Sequence, residues 1–437
     1  MRNARLGAGA GAIAAALLLL VTPGSATAQQ PAAPPTQSVE YFTGPHGHPH
    51  HTNVPVATPE RLARDNGPAL AGDGDVTQIV HNGPSADTLD VVVIGDGYTA
   101  GQLAQFHTDA KEKWHEITGV EPWTTYQNLF NVWAVDAVSA ESGVSGDPDP
   151  SVVRDTALDS SFWCDGIERL LCVDTSAVDR YAALAPEADL VIVVANTSKY
   201  GGAGYNQVSS PLGYDGIATV AGGNEQSAQI VVHETGHSLG KLADEYAYQE
   251  RTYTGPEPGE ANISTHPAAD MQQRGVKWAR WLGEPTPDGG VIGTFEGAAY
   301  YTGGLYRPSQ DSLMRSLNHQ GYNLVGREAM IGGFYRHASL LTSDVPTAGV
   351  LPRHGKVSVD VPHLTGAAAP VTVRWYLDGR ELTGLRGDHT VNVAPLLRHT
   401  SFGVHDLTAK AADPTDAVRD PSIRAELTDT LTWHIHR

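Results

Sequence analysis

The chain has 437 residues, 49 of them acidic and 29 basic, for a formal net charge of −20 at pH 7. That length exceeds one small domain, so two folded units with appendages are expected. The acidic balance argues against a nucleic-acid partner, whose phosphates call for a basic face, and favours a well-solvated chain.

In chain order, residues 1–28 place Arg2 and Arg5 ahead of an apolar run centred on Ile13 to Val21 and end in Ala26-Thr27-Ala28. This is the pattern of a secretory signal peptide cleaved after Ala28, and the run is short for a membrane anchor. Cleavage would remove two arginines and no acid, taking the charge from −20 to −22. No second long apolar stretch follows, so the mature chain is expected to be secreted and extracellular, without an anchor. Its only cysteines, Cys164 and Cys172, lie close together in an exported chain, which predicts a local disulfide.

Residues 29–72, rich in Pro, Ala, Gly and polar side chains with no sustained period, are expected to form a flexible leader. Within it "GPHGHPHH" gathers His46, His48, His50 and His51. A solvated linker, a weak zinc-collecting tract and a segment masking an active site all fit that composition.

From about residue 73 to 347 the pattern is α/β. "TLDVVVIGDGYT" reads as a buried strand closed by glycines. Thr99 then caps a helix with Gln102 reaching back, and Leu103, Phe106, Ala110, Trp114 and Ile117 recur at helical spacing. "FNVWAVDAV" and "ADLVIVVAN" read as further strands, and "SKYGGAGY" as a glycine loop open to close backbone approach. Residues 348–437 change character: "KVSVDV", "VTVRWYLDG", "HTVNV", "HDLTAKA" and "TLTWHIH" alternate apolar and polar positions between turn signals, which predicts a small all-β, immunoglobulin-like sandwich. The acids Asp147, Asp149 and Asp155 allow a Ca2+ site, although spaced acids on a loop are usually just solvated.

The chemistry lies in "HETGHSLGKLADEY", His233 to Tyr246. Asn224 can cap a helix running to Gly240, a residue expected to end it in the left-handed conformation. His233 and His237 are then one turn apart on one face and can share a cation, with Glu234 beside them. Gly236 inside the helix suggests that another element packs closely there. Beyond Gly240 the chain turns back: Ala243 has no donor atom, whereas Asp244 does, with Glu245 as competitor. Two imidazoles and a carboxylate suit one catalytic Zn2+ with a fourth position left for water. Glu234 would act as general base in peptide-bond hydrolysis.

The string "HETGHSLGKLADEY", together with "LDVVVIGDGYT", "FNVWAVDAVSAESGV", "KYGGAGY", "VKWARWLGE", "FEGAAYYTGGLYRPS" and "SLMRSL" in order, resembles the IgA-specific metalloendopeptidase family over about residues 75 to 345. The resemblance implies a metzincin-like zinc protease domain, a mixed sheet with packed helices including the HExxH helix. It also implies zinc held by His233, His237 and Asp244, Glu234 as base, and Met314 as a methionine turn beneath the metal. Family members often carry a β-sandwich, which "VRWYLDG" suits. Tyr246, Glu296 and Arg307 fall in family-like stretches with sufficient structural roles. "GIATV", Ile217 to Val220, could be an edge strand on which an extended peptide adds. The expected partner is a protein or peptide substrate, whether or not that is immunoglobulin A. The sequence sets no oligomeric state. The alternative is a secreted adhesin or binding module that keeps the fold with a silent site.

Overall fold

The computed structural model describes residues 35–56, 70–317 and 321–437. The signal-peptide segment 1–28 and residues 29–34 and 57–69 of the expected leader lie outside the described residues. The principal element is an eight-stranded mixed sheet. It contains β1 (Thr36–Phe42), β2 (Pro49–Pro55), β3 (Val76–Val80), β4 (Leu89–Asp96), β5 (Phe130–Val135), β6 (Leu190–Ala195), β7 (Gly202–Tyr205) and β8 (Ile217–Ala221). Their order is β2-β1-β7-β8-β6-β4-β5-β3. The inner strands β5, β4, β6 and β8 run parallel, and every residue of β4, β6 and β8 is buried. Continuous runs of Val, Ile and Leu serve strands covered on both faces, where a polar alternation would bury unsatisfied groups.

Helix α1 (Leu103–Thr118) crosses from β4 to β5. Thr99 and Gln102 form the expected capping box, and Phe106, Ala110, Trp114 and Ile117 are buried against the sheet. Helix α2 (Ala228–Ser238) follows β8 and packs over β7 and β8. Helix α3 (Leu324–Tyr335) closes the α/β part, capped by Asn323, whose side chain accepts from the Gly326 amide. A separate three-stranded sheet joins β9 (Ala247–Thr252), β10 (Phe295–Ala298) and β11 (Tyr300–Arg307) beside the end of α2.

All the strands expected near the carboxyl terminus are present. A five-stranded sheet orders β12 (Val350–Leu351), β18 (Thr428–His436), β17 (Val404–Ala412), β14 (Thr372–Leu377) and β15 (Arg380–Glu381), and β13 (Lys356–Ser358) pairs with β16 (Thr390–Asn392). Trp375 and Trp433 are fully buried in this part, so Trp375 is a core residue. The boundary expected at residue 348 is bridged: Pro35–Arg437 is one compact unit, and Asp413 accepts from Tyr126 Oη at 2.7 Å and Tyr335 Oη at 3.0 Å.

Three expectations are corrected. Residues 35–56 are not a flexible leader but a β-hairpin on the end of the main sheet, because Val39 is buried on one face of β1 and Glu40 and Phe42 on the other. The "SKYGGAGY" loop contains strand β7. Gly202 is required there, since a Cβ would stand 2.4 Å from the Thr219 carbonyl oxygen. Finally, Ile217 to Val220 is interior, with β6 on one side and β7 on the other, so it offers no edge to a peptide. Cys164 and Cys172 form the expected disulfide. Asp147 accepts from Thr197 and Asp149 from Ser151, and among the described residues the three loop acids do not converge on a cation site.

His337, just after α3, ties the starts of two inner strands. Its Nδ1 lies 2.9 Å from Asp189 and its Nε2 2.9 Å from Asp215. Burial alone would lower its pKa, but the two carboxylates overcome this and push it up to about 9. The folded pKa exceeds the ordinary 6.5, so this contribution is fully present below pH 6.5 and is lost as pH rises through 9. Discounted for partial exposure it is about 1–2 kcal/mol. A His337→Gln variant is expected to melt roughly 1–3 °C below the parent at pH 6 and close to it at pH 9.5, measured by calorimetry.

Candidate metal centre

Asn224 Oδ1 accepts from the Gln226 amide at 3.1 Å, a one-turn 3-10 segment follows, and α2 carries His233 and His237 on one face. The helix does not end on a left-handed Gly240. Lys241 takes the positive φ, 48°. Gly240 is required for space instead: a Cβ there would lie 2.7 Å from the Gly236 carbonyl oxygen and 2.9 Å from Met330 Sδ. Gly236 is needed for the reason the sequence suggested, since its Cβ would stand 2.5 Å from Met314 Sδ. Met314 is thus packed beneath the helix at the motif.

Both motif histidines are oriented by carbonyls. His233 Nδ1 lies 2.8 Å from Leu313 O and His237 Nδ1 2.7 Å from Leu242 O. A carbonyl can only accept, so each Nδ1 carries a proton, and each neutral ring then has its lone pair on Nε2, the arrangement that orients metal-binding imidazoles. The two Nε2 atoms are 3.1 Å apart. Asp244 Oδ1 lies 3.4 Å from each. Its Oδ2 accepts from Tyr300 Oη at 2.7 Å and faces His51 Nε2 at 3.3 Å. Burial opposes ionisation of Asp244, yet the imidazoles of His237 and His233 hold its carboxyl well below the usual range.

A fourth side chain completes the group. Glu40, at the middle of β1, puts Oε1 3.3 Å from His233 Nε2 and Oε2 3.0 Å from His237 Nε2. Among the described residues, Glu40, His233, His237 and Asp244 are the group of potential metal ligands that converges. Glu40 is 1% exposed, and no hydrogen-bond donor of the described residues satisfies either of its oxygens or Asp244 Oδ1. Two protonated imidazoles would repel across 3.1 Å, and buried carboxylates without donors are costly. A divalent cation held between two lone pairs and two carboxylates resolves both difficulties, so the donor set fits a metal ion.

Glu234 points elsewhere. Its carboxylate lies over β7, where a Cβ on Gly204 would stand 1.7 Å from Oε2. Asn206 Nδ2 donates to Oε2 at 2.7 Å, while Oε1 is buried without a partner among the described residues. Burial, with the Glu40 charge nearby, pushes the Glu234 carboxyl up to about 7.

Glu245 does not compete for the centre. It is fully buried and accepts from Ser312 Oγ at 2.7 Å, Asn262 Nδ2 at 3.0 Å and Asn323 Nδ2 at 3.0 Å. Its amide donates to Met314 O at 2.8 Å. The residue therefore knots the Asp244 turn to the Met314 loop and to the cap of α3. Arg307 donates to the Glu296 and Gly297 carbonyls, so it braces the β10–β11 hairpin away from the histidines. Tyr246 is buried beside the centre, its ring stacked with that of Tyr248.

Sequence reasoning missed Glu40, Asn206 and Tyr300, and named His51 only as one of the histidines of "GPHGHPHH". Tyr300 had one available signal in its crowded tyrosine stretch, but its φ of 74°, rare for a non-glycine residue, is visible only in the fold.

A buried helix that turns two imidazole nitrogens towards a shared carboxylate, with Glu234 held by Asn206 beside them, has the side chains that a metallopeptidase calls for. The family model described as IgA Peptidase M64 matches residues 77–288 and 286–334, more than half of the chain. The chain belongs to the IgA peptidase M64 family and is a peptidase, a hydrolase of peptide bonds whose substrates are proteins or peptides. A search of curated proteins finds no match. Glu40 lies ahead of the matched region.

Proposed function

We propose that the protein is a secreted, zinc-dependent endopeptidase in which His233, His237 and Asp244 hold the metal and Glu234 is the general base. The observation that carries this reading is the spacing of the donor atoms. Among the two Nε2 atoms, Asp244 Oδ1 and the nearer Glu40 oxygens, contacts of 3.0–3.4 Å recur. A tetrahedron with bonds of about 2.0–2.1 Å, as zinc prefers with nitrogen and oxygen donors, has edges of roughly 3.3 Å. When bound, zinc would supply the Lewis acidity that makes a water nucleophilic at neutral pH and polarises the scissile carbonyl.

The chain's own residues account for the rest of the chemistry. Asn206 holds one oxygen of Glu234, leaving Oε1 free to take a proton from the attacking water and deliver it to the leaving amine. Gly204 gives that carboxylate its room. Leu313 and Leu242 fix the imidazole tautomers, and Tyr300 fixes the outer oxygen of Asp244. Met314 supports the helix from below in the way a methionine turn would. The amino-terminal signal pattern and the Cys164–Cys172 disulfide support export. The carboxyl-terminal sheets, read as a small sandwich, would stabilise the catalytic part or dock substrate. A binding module with a silent site would have no use for a free glutamate lodged over a glycine.

The test is metal removal. Protein stripped with 1,10-phenanthroline is expected to lose cleavage of casein and of a peptide library, and one equivalent of zinc per chain is expected to restore it. Hydrolysis that continues at the same rate in the stripped, metal-free protein would overturn the zinc mechanism.

A further inference from the structure

We propose that the β1–β2 hairpin is an inhibitory plug, with Glu40 as fourth ligand of the metal and β1 lying where an extended substrate would lie. The proposal rests on the zinc-peptidase reading of the same centre and adds its regulation. A structural zinc site is closed by four protein ligands, whereas a catalytic one keeps a position open. Here four protein side chains converge, so the arrangement is that of a closed site in a chain that belongs to a peptidase family. Glu40 has to leave for the reaction to proceed.

The sheet order points to the same exchange. Strand β7 is flanked by β8 on one side and β1 on the other. Without the hairpin, β7 would be the sheet's edge beside the motif helix, and an exposed edge is where an extended peptide adds by main-chain hydrogen bonds. Strand β1 takes that edge antiparallel, and Glu40 pairs directly with Gly204, the residue over which the Glu234 carboxylate lies. A substrate strand on β7 would present its own backbone at that point, within reach of Glu234.

The hairpin also contacts the centre along its length. The Phe42 ring meets the His233 ring edge-on with centroids 5.0 Å apart. His51 lies 2.6 Å from Tyr300 Oη and 3.3 Å from Asp244 Oδ2. His48 Nδ1 reaches Arg315 O at 3.3 Å, next to Met314. Of the meanings open to "GPHGHPHH", masking the active site is the one these contacts favour. The buried and otherwise unsatisfied carboxylate of Glu40 is explained by the same account, because its partner is the cation rather than any donor of the chain.

The experiment compares the full mature chain with Glu40→Ala and with the isosteric Glu40→Gln, each loaded with zinc or cobalt(II). Three quantities are read: the visible spectrum of the cobalt form, acetohydroxamate affinity by calorimetry, and hydrolysis of a quenched peptide. If the plugged state holds more than nine-tenths of the molecules, freeing the fourth position is expected to tighten acetohydroxamate at least about 10-fold and to change the cobalt spectrum. Hydrolysis is expected to rise by a similar factor, with Glu40→Gln following in the same direction. An unchanged spectrum and unchanged acetohydroxamate affinity in both folded variants would overturn the proposal. Tighter acetohydroxamate and an altered spectrum without any hydrolysis would uphold Glu40 as ligand while removing the proposed zinc hydrolysis at this centre.

Discussion

Replacing Glu234 by glutamine is expected to lower peptide hydrolysis by roughly 10²–10⁴-fold, the usual worth of a positioned acid–base group, while leaving metal content unchanged. The substitution is nearly isosteric, and its amide oxygen can still accept from Asn206, which donates to Glu234 at 2.7 Å. Gly204 leaves no spare volume, so glutamine has to sit where glutamate sits. What disappears is the proton acceptor alone. Rates of parent and variant should be compared in the same Glu40→Ala background, so that the hairpin does not mask the difference. A variant that keeps its metal and hydrolyses peptide at the parental rate would assign the proton transfer to another group. The neighbouring metal ligands would then have to be reconsidered as well.

How much of this was legible in the sequence follows from where the constraint is local. The spacing of His233 and His237 is a property of one helical turn, and the buried β-branched runs of β4 and β6 are properties of single strands, so all of them can be read directly. Asp244 was legible as a candidate because the chain must turn back after Gly240 and the first carboxylates beyond it are Asp244 and its competitor Glu245. Glu40 was not, since its pairing with the centre spans nearly two hundred residues and depends on which strand forms the end of the sheet. Its own neighbours, "SVEYF", have the composition of many half-buried strands. The glycines divide in the same way. Gly236 signalled close packing from its place inside a helix, whereas Gly204 looked like part of a loop until the Glu234 carboxylate was found over it. Ile217 to Val220 was misplaced as an edge because hydrophobicity reports burial and not strand order.

Asp244 and Glu245 are adjacent carboxylates with different partners, the imidazoles for one and Ser312, Asn262 and Asn323 for the other, and replacing them one at a time is expected to separate affinity from stability. Asp244→Ala removes the one oxygen of the late turn that faces both imidazoles, at 3.4 Å from each. Metal affinity is expected to fall by more than about 100-fold, the upper end of the cost of losing even an outer hydrogen-bonding partner. The fold should survive, because the turn is held by Glu245 and Asn262 rather than by Asp244. Glu245→Gln does the reverse. It replaces one carboxylate oxygen by an amide nitrogen, and in either orientation that donor meets Asn323 Nδ2, which donates to both oxygens of the native carboxylate. A buried acceptor turned into a mismatched donor costs about 2–4 kcal/mol, so a lower melting temperature is expected with zinc affinity near the parental value below the transition. Competition with a chromophoric zinc chelator gives the first quantity and calorimetry the second. If Glu245→Gln lost the metal and Asp244→Ala kept it, the late ligand would be Glu245. The turn after α2 would then have to rotate by one residue, breaking the Glu245 amide bond to Met314 O and the contact of Tyr300 with Asp244 together.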